Sequence, residues 1–339
     1  MAGTARPTKA MSESSIVLRL DSGVALPGSG PLHIAVEVRA PRQASLGPSP
    51  VVLVCLPGGG MNRRFFDLMP GGDAASDISF SFARQMAGRG FIVVFVDHLG
   101  VGESDRPEDG YLLTPEVLVQ ANQRALEHVL AGLRAGSLLA DLPPLPDLVS
   151  IGVGHSMGAM LTLLQQAAYH PHAGLALLGF STRGMPEYLI PEAKALSADT
   201  QAVRAELVRL AKATFVVPYP EVKPSPQSNS LFAGAAAEVR GVEAIKAARD
   251  KMLPVTAFMS MLPGNVAPEA AQIDVPLFLA LGERDIAGPT HQVPAAFTKS
   301  RDLSLHILPE TGHSHFLFPA RTGLFNRLGG WARLVASGV

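Results

Sequence analysis

Hydrophobic and polar positions change rhythm several times along this chain, and each rhythm predicts an element. Residues 15–20 and 32–39 alternate apolar with polar side chains. Successive side chains of a strand point to opposite faces, so this pattern predicts half-buried antiparallel edge strands. Residues 51–56 and 91–96 are continuous runs rich in β-branched residues, the pattern of strands buried on both faces. Between them, residues 79–90 carry helical spacing and end on glycine. Residues 114–137 predict a longer amphipathic helix, with Thr114 as its cap and Pro115 at the first position, where a missing N–H costs nothing. A further central strand follows at 148–153, then a helix at 157–169 and a short buried strand at 175–179.

The alternation stops there. Residues 182–272 are rich in Ala, Pro and Met, with helical patches and no clear strand. Regular order resumes with strands at 275–281 and 303–308 and an amphipathic helix at 321–336. Repeated βα units imply a mostly parallel, doubly wound central sheet flanked by helices, because parallel neighbours need crossover helices. An interruption of about 90 residues is longer than a plain loop. The α/β core is therefore expected at 15–181 and 273–339, with a helical cap inserted at 182–272 and a loose tail at 1–14.

Composition narrows the partners. The chain has 339 residues, 47% of them apolar and 17% charged, with a formal net charge of -1. That is a packed globular protein without a basic stripe, so neither nucleic acid nor an anionic membrane is an expected partner. No run reaches the ~18 apolar residues of a membrane span. The N-terminus lacks the apolar stretch of a secretory signal, which makes a cytoplasmic location the expectation. A small organic substrate fits the charge balance, and a homodimer is compatible with it. Cys55 is the single cysteine, which rules out an internal disulfide and reads as a buried structural thiol.

The strongest motif is Gly154-His155-Ser156-Met157-Gly158, between a buried strand and a helix. A sharp strand-to-helix turn there forces the serine into a strained conformation, and glycines two before and two after relieve the crowding. The serine oxygen then stands at a helix N-terminus, whose dipole favours a developing oxyanion. Gly152, Gly154 and Gly158 also look like a dinucleotide loop. That reading needs a carboxylate about 20 residues on, at the end of the next strand. The sequence there is Phe180-Ser181-Thr182, with no acid. A serine nucleophile working without a cofactor is the better reading.

On these residues the chain resembles the α/β-hydrolase superfamily, over roughly residues 31–334. Four further segments carry the resemblance: Leu56-Pro57-Gly58-Gly59-Gly60, then Asp97 to Ser104 in the form D-x-x-G-x-G-x-S, then Leu281 to Asp285, then Thr311-Gly312-His313. The resemblance implies an α/β-hydrolase fold with an inserted cap and a serine esterase or lipase-like activity. It implies Ser156 as nucleophile, Asp285 as acid and His313 as base. The acid and histidine loops both follow strand C-termini, where the βα loops of such a sheet gather. Glu283, directly after the strand, is the alternative acid, and His315, beside an apolar run, the alternative base. The oxyanion hole is expected from the N–H of Met157 and one from the glycine loop, with Gly59 the best match. Pro57 departs from the family, which usually has a histidine there. Asp97 is expected to stabilise its turn.

Substrate-contact candidates are Gly60, Met61, His155 and Met259. Arg63 or Arg64 could meet a substrate carboxylate, or this stretch could be a surface loop with Phe65 and Phe66 packed down. Met252, Phe258, Met259 and Met261 either fill a core or wall a hydrophobic pocket. His313-Ser314-His315 lacks the further ligands of a zinc site, so no metal is expected. His170 and His172 are expected to serve the end of a helix. The expected reaction is hydrolysis of a carboxylic ester or lactone with a small, largely apolar body. The same triad also serves acyltransferases, perhydrolases, C–C hydrolases and cofactor-free lyases, whereas epoxide hydrolases and dehalogenases carry aspartate at the elbow. A non-catalytic small-molecule binder is the reading from a different class.

Overall fold

The computed structural model describes residues 13–41, 45–71, 76–221, 234 and 236–338. Most of the expected tail, residues 1–12, lies outside them. Eight strands form one sheet in the order β1-β2-β4-β3-β5-β6-β7-β8. They are β1 (Ser14–Asp21), β2 (His33–Ala40), β3 (Val51–Leu56), β4 (Ile92–Val96), β5 (Val149–His155), β6 (Gly174–Leu178), β7 (Leu277–Gly282) and β8 (Leu303–Leu308). β2 runs antiparallel to both β1 and β4, and every other neighbouring pair is parallel.

The two-residue period of the central strands divides the core. Val52, Val54 and Leu56 of β3 join the hydrophobic cluster on one face, and Val51, Leu53 and Cys55 join the cluster on the other. The first face is covered by α2 (Pro115–Ala135) and α3 (Met157–Tyr169), the second by α1 (Phe82–Ala87) and the C-terminal helix Arg321–Ser337. Helix α2 begins on a Thr114 side-chain cap and ends at Gly136, whose φ of 68° is the left-handed conformation glycine takes at no steric cost.

Two sequence expectations are corrected. β2 is an interior strand buried on both faces, because β1 pairs along its outer side and takes the edge. The helix expected at 79–90 is broken: Ser81 closes a single turn, Ile78–Phe80, and its side chain caps α1 by accepting from Arg84 N. Between β6 and β7 the described residues form short helices and no strand of the sheet, including Leu207–Phe215 and Pro254–Met261, which pack together. No helix among the described residues is long and apolar enough to cross a membrane.

Candidate active site

β5 runs straight into α3, and Ser156 occupies the corner with φ 55° and ψ −121°. A non-glycine residue with positive φ is strained, and such strain persists where the surroundings hold it. Here the Ser156 N–H is held by Leu178 O at the end of β6, 2.8 Å away. The flanking glycines are sterically required. A Cβ on Gly154 would overlap the Ala159 backbone, and one on Gly158 would overlap the carbonyl oxygens of Leu56 and Pro57.

The βα loops of β7 and β8 meet this corner. His313 Nε2 lies 2.8 Å from Ser156 Oγ, and its Nδ1 lies 2.7 Å from Asp285 Oδ1. A carboxylate only accepts, so Nδ1 carries the ring proton and Nε2 is free to accept from the serine hydroxyl. Gly179, at φ 59°, directly follows β6; a Cβ there would crowd both His313 and Asp285. The Asp285 side chain is fully buried and accepts four hydrogen bonds. His313 Nδ1 and Ala287 N reach Oδ1, while His315 Nε2 and Gly282 N reach Oδ2. Burial alone would raise its pKa, but the charge and hydrogen bonds of His313 and His315 hold it well below the usual carboxylate range.

Glu283 faces the other way. Its Oε2 accepts from Glu310 N at 2.9 Å, a contact that shapes the loop between β8 and His313. The glycine loop after β3 lies against the elbow: a Cβ on Gly58 would sit 3.1 Å from Ser156 Cβ, and one on Gly59 3.6 Å from Met157 Sδ. Met157 is the first residue of α3, so its N–H has no carbonyl partner within the helix. His98, fully buried, lies with Nε2 3.1 Å from Pro57 O and fixes the start of that loop.

The sequence pattern of the Alpha/beta hydrolase family matches residues 53–322. This chain belongs to that family. Solved structures share the α/β-hydrolase fold over most of the chain. The proline iminopeptidase of Mycobacterium smegmatis is 18% identical with a TM-score of 0.57, over 95% of this chain and 99% of that one. A thermophilic esterase from Thermogutta terrifontis is 16% identical at 0.57, again over 95% and 99%. The bromoperoxidase of Bacillus anthracis is 13% identical at 0.58, over 94% and 99%. No curated protein sequence gives a significant match.

The space beside the serine of this α/β hydrolase is small, about 30 Å³. It is lined by Ser156, Met157 and His313 together with Phe180, Met185, Ser260 and Ile286. The expected substrate contacts lie elsewhere. His155 is buried beneath the elbow, stacked on Phe65 at 4.5 Å, and its Nε2 donates to His313 O at 2.9 Å. Gly60 accepts from Asp250 N, and Met61 bridges to Arg249. Met259 and Phe258 turn into the core, because the helix Pro254–Met261 presents only Ser260 to the cavity. Arg63 is buried in ion pairs with Asp97 and Glu103, and Asp97 also accepts from Arg63 N and Glu103 N. Phe65 and Phe66 are packed down as the loop reading expected. The His172 main chain bonds the Gln166 side chain in the last turn of α3, but its ring turns away from the helix end and is buried with Nδ1 2.9 Å from Ser150 Oγ.

Sequence reading missed Ser181, Ile286 and the His315 contact. Ser181 and Ile286 sit within three residues of a strand end or of Asp285, which was the available signal. The His315 contact depends on how the His315–Leu317 turn folds back, and no periodicity encodes that.

Proposed function

We propose that this α/β hydrolase cleaves carboxylic esters through an acyl-enzyme on Ser156. The hydrogen-bonded chain from Ser156 through His313 to buried Asp285 carries the reading, with links of 2.8 and 2.7 Å. As Ser156 Oγ attacks the ester carbonyl, its proton passes to His313 Nε2, and the imidazolium is stabilised against Asp285. The developing oxyanion is received by the N–H groups of Met157 and Gly59; losing one such donor typically costs about 10²–10³ in kcat. Collapse of the intermediate expels the alcohol, protonated by Nε2. Water then repeats the sequence on the acyl-enzyme.

Residues 182–272 serve as the cap in this reading, since Met185 and Ser260 close over the serine. A cavity of about 30 Å³ favours a small acyl group, because small-molecule pockets are usually ~300–1,000 Å³. Buried Phe258 and Met259 argue against the long apolar pocket that their sequence suggested. Purified protein assayed on p-nitrophenyl acetate, butyrate and hexanoate should show kcat/KM falling with chain length. Rapid fluorophosphonate labelling of Ser156 without turnover of any ester would replace hydrolysis by acyl transfer or lyase chemistry.

A further inference from the structure

The cavity at Ser156 is too small to hold both flanks of an ester. Beside it lies a groove of about 290 Å³, lined by Ser181, Thr182, Arg183, Pro289, Gln292 and Val293. The two spaces share Ser181 and Ala287 as walls, and both residues are buried. Ser181 Oγ donates to Ala287 O at 2.5 Å, so one hydrogen bond ties the end of β6 to the acid loop between the spaces.

Among the groove's polar side chains the Arg183 guanidinium only donates, the Thr182 hydroxyl and Gln292 carboxamide donate or accept, and the Ser181 proton is already given to Ala287 O. The Arg183 guanidinium pairs with Glu187, but those side chains are 39% and 56% exposed. Exposed pairs of this kind contribute little, so a ligand carboxylate can replace Glu187 at small cost. The buried Arg63 cluster offers no such freedom, because Asp97 is wholly enclosed.

We propose that this groove is a second subsite of the same active site, binding the larger, carboxylate-bearing half of the substrate. The Ser181–Ala287 hydrogen bond is the partition between that half and the serine. The inference rests on the hydrolase reading for its role in turnover, but the binding it describes is measurable without turnover.

The test is calorimetric titration with glutarate, a small dicarboxylate, beside p-nitrophenyl acetate turnover in the same preparations. Wild type should bind glutarate, and glutarate should inhibit acetate hydrolysis competitively. Arg183→Gln should weaken glutarate binding at least tenfold. Ser181→Ala should raise the kcat/KM ratio of 4-acetoxybutanoate, whose carboxylate lies on the alcohol half, to butyl acetate several-fold, by loosening the partition. Absence of glutarate binding in wild type, or equal binding by Arg183→Gln, would overturn the subsite. Glutarate binding lost in Arg183→Gln with no ester turnover by wild type would leave the subsite standing and refute the hydrolase reading instead.

Discussion

His315 donates from Nε2 to Asp285 Oδ2 at 2.8 Å, while His313 takes the other oxygen of the same carboxylate at 2.7 Å. The acid is thus clamped between two buried histidines. His315 Nδ1 has no hydrogen-bond partner among the described residues, so the ring is held by its bond to Asp285 and by edge-on packing against His155 at 5.8 Å.

That clamp makes His315 a positioning residue for the acid. Substituting His315→Phe keeps a ring in the fully buried site but leaves Oδ2 only the longer 3.2 Å bond from Gly282 N. A hydrogen bond to a charged group contributes about 1.5–3 kcal/mol. We expect a fall in kcat of roughly tenfold, with KM nearly constant. Without His315 the carboxylate turns more freely about its bond to His313, so the loss appears in kcat rather than in KM. An unchanged kcat with only a lower melting temperature would reduce His315 to packing.

The choice of acid separates Asp285 from Glu283. Asp285→Asn cannot present two acceptor oxygens to His313 and His315, and an amide can trap the wrong His313 tautomer. Loss of several orders of magnitude in kcat is expected. Glu283→Gln keeps an acceptor for Glu310 N and should stay within about tenfold of wild type in the same assay. Greater damage from Glu283→Gln would reverse the assignment.

Stability should also report a buried histidine remote from the serine. Burial pushes the His172 imidazole down to about 3, against about 6.5 in an unfolded chain. The folded state therefore prefers the neutral ring, and the unfolded state takes the proton first. This term is absent above pH 6.5 and destabilises the fold progressively as pH falls toward 3, by about 1.4 kcal/mol per unit. Between pH 8 and pH 5 wild type should lose roughly 2 kcal/mol that His172→Asn does not lose. Urea unfolding at the two pH values measures the difference. Buried His98 and His155 are shifted in the same direction and leave a residual slope in both proteins. Parallel losses in the two would remove His172 from the account.

Much of this architecture was legible because it rests on short-range rules. The unbroken runs around Val54 and Val94 could only be strands with both faces covered, and Gly154 and Gly158 marked a corner that admits no side chain. What escaped was long-range. β2 reads as an edge strand until β1 is seen to pair outside it. Met259 reads as a pocket wall until the rotation of its helix is known, since the same apolar side chain satisfies a core equally well. His155 was legible as part of the elbow, but its bond to His313 O spans 158 residues of sequence.

The central claim is that Ser156, activated by His313, is the nucleophile. A single measurement addresses it most directly: intact-mass and peptide mapping after brief exposure to a fluorophosphonate, in wild type, Ser156→Ala and His313→Ala. The account predicts one adduct, on Ser156, formed rapidly in wild type, absent from Ser156→Ala and at least a hundredfold slower in His313→Ala, in line with the ~10²–10⁴ that a positioned base contributes. An adduct on another residue, or undiminished labelling of Ser156 without His313, would contradict it.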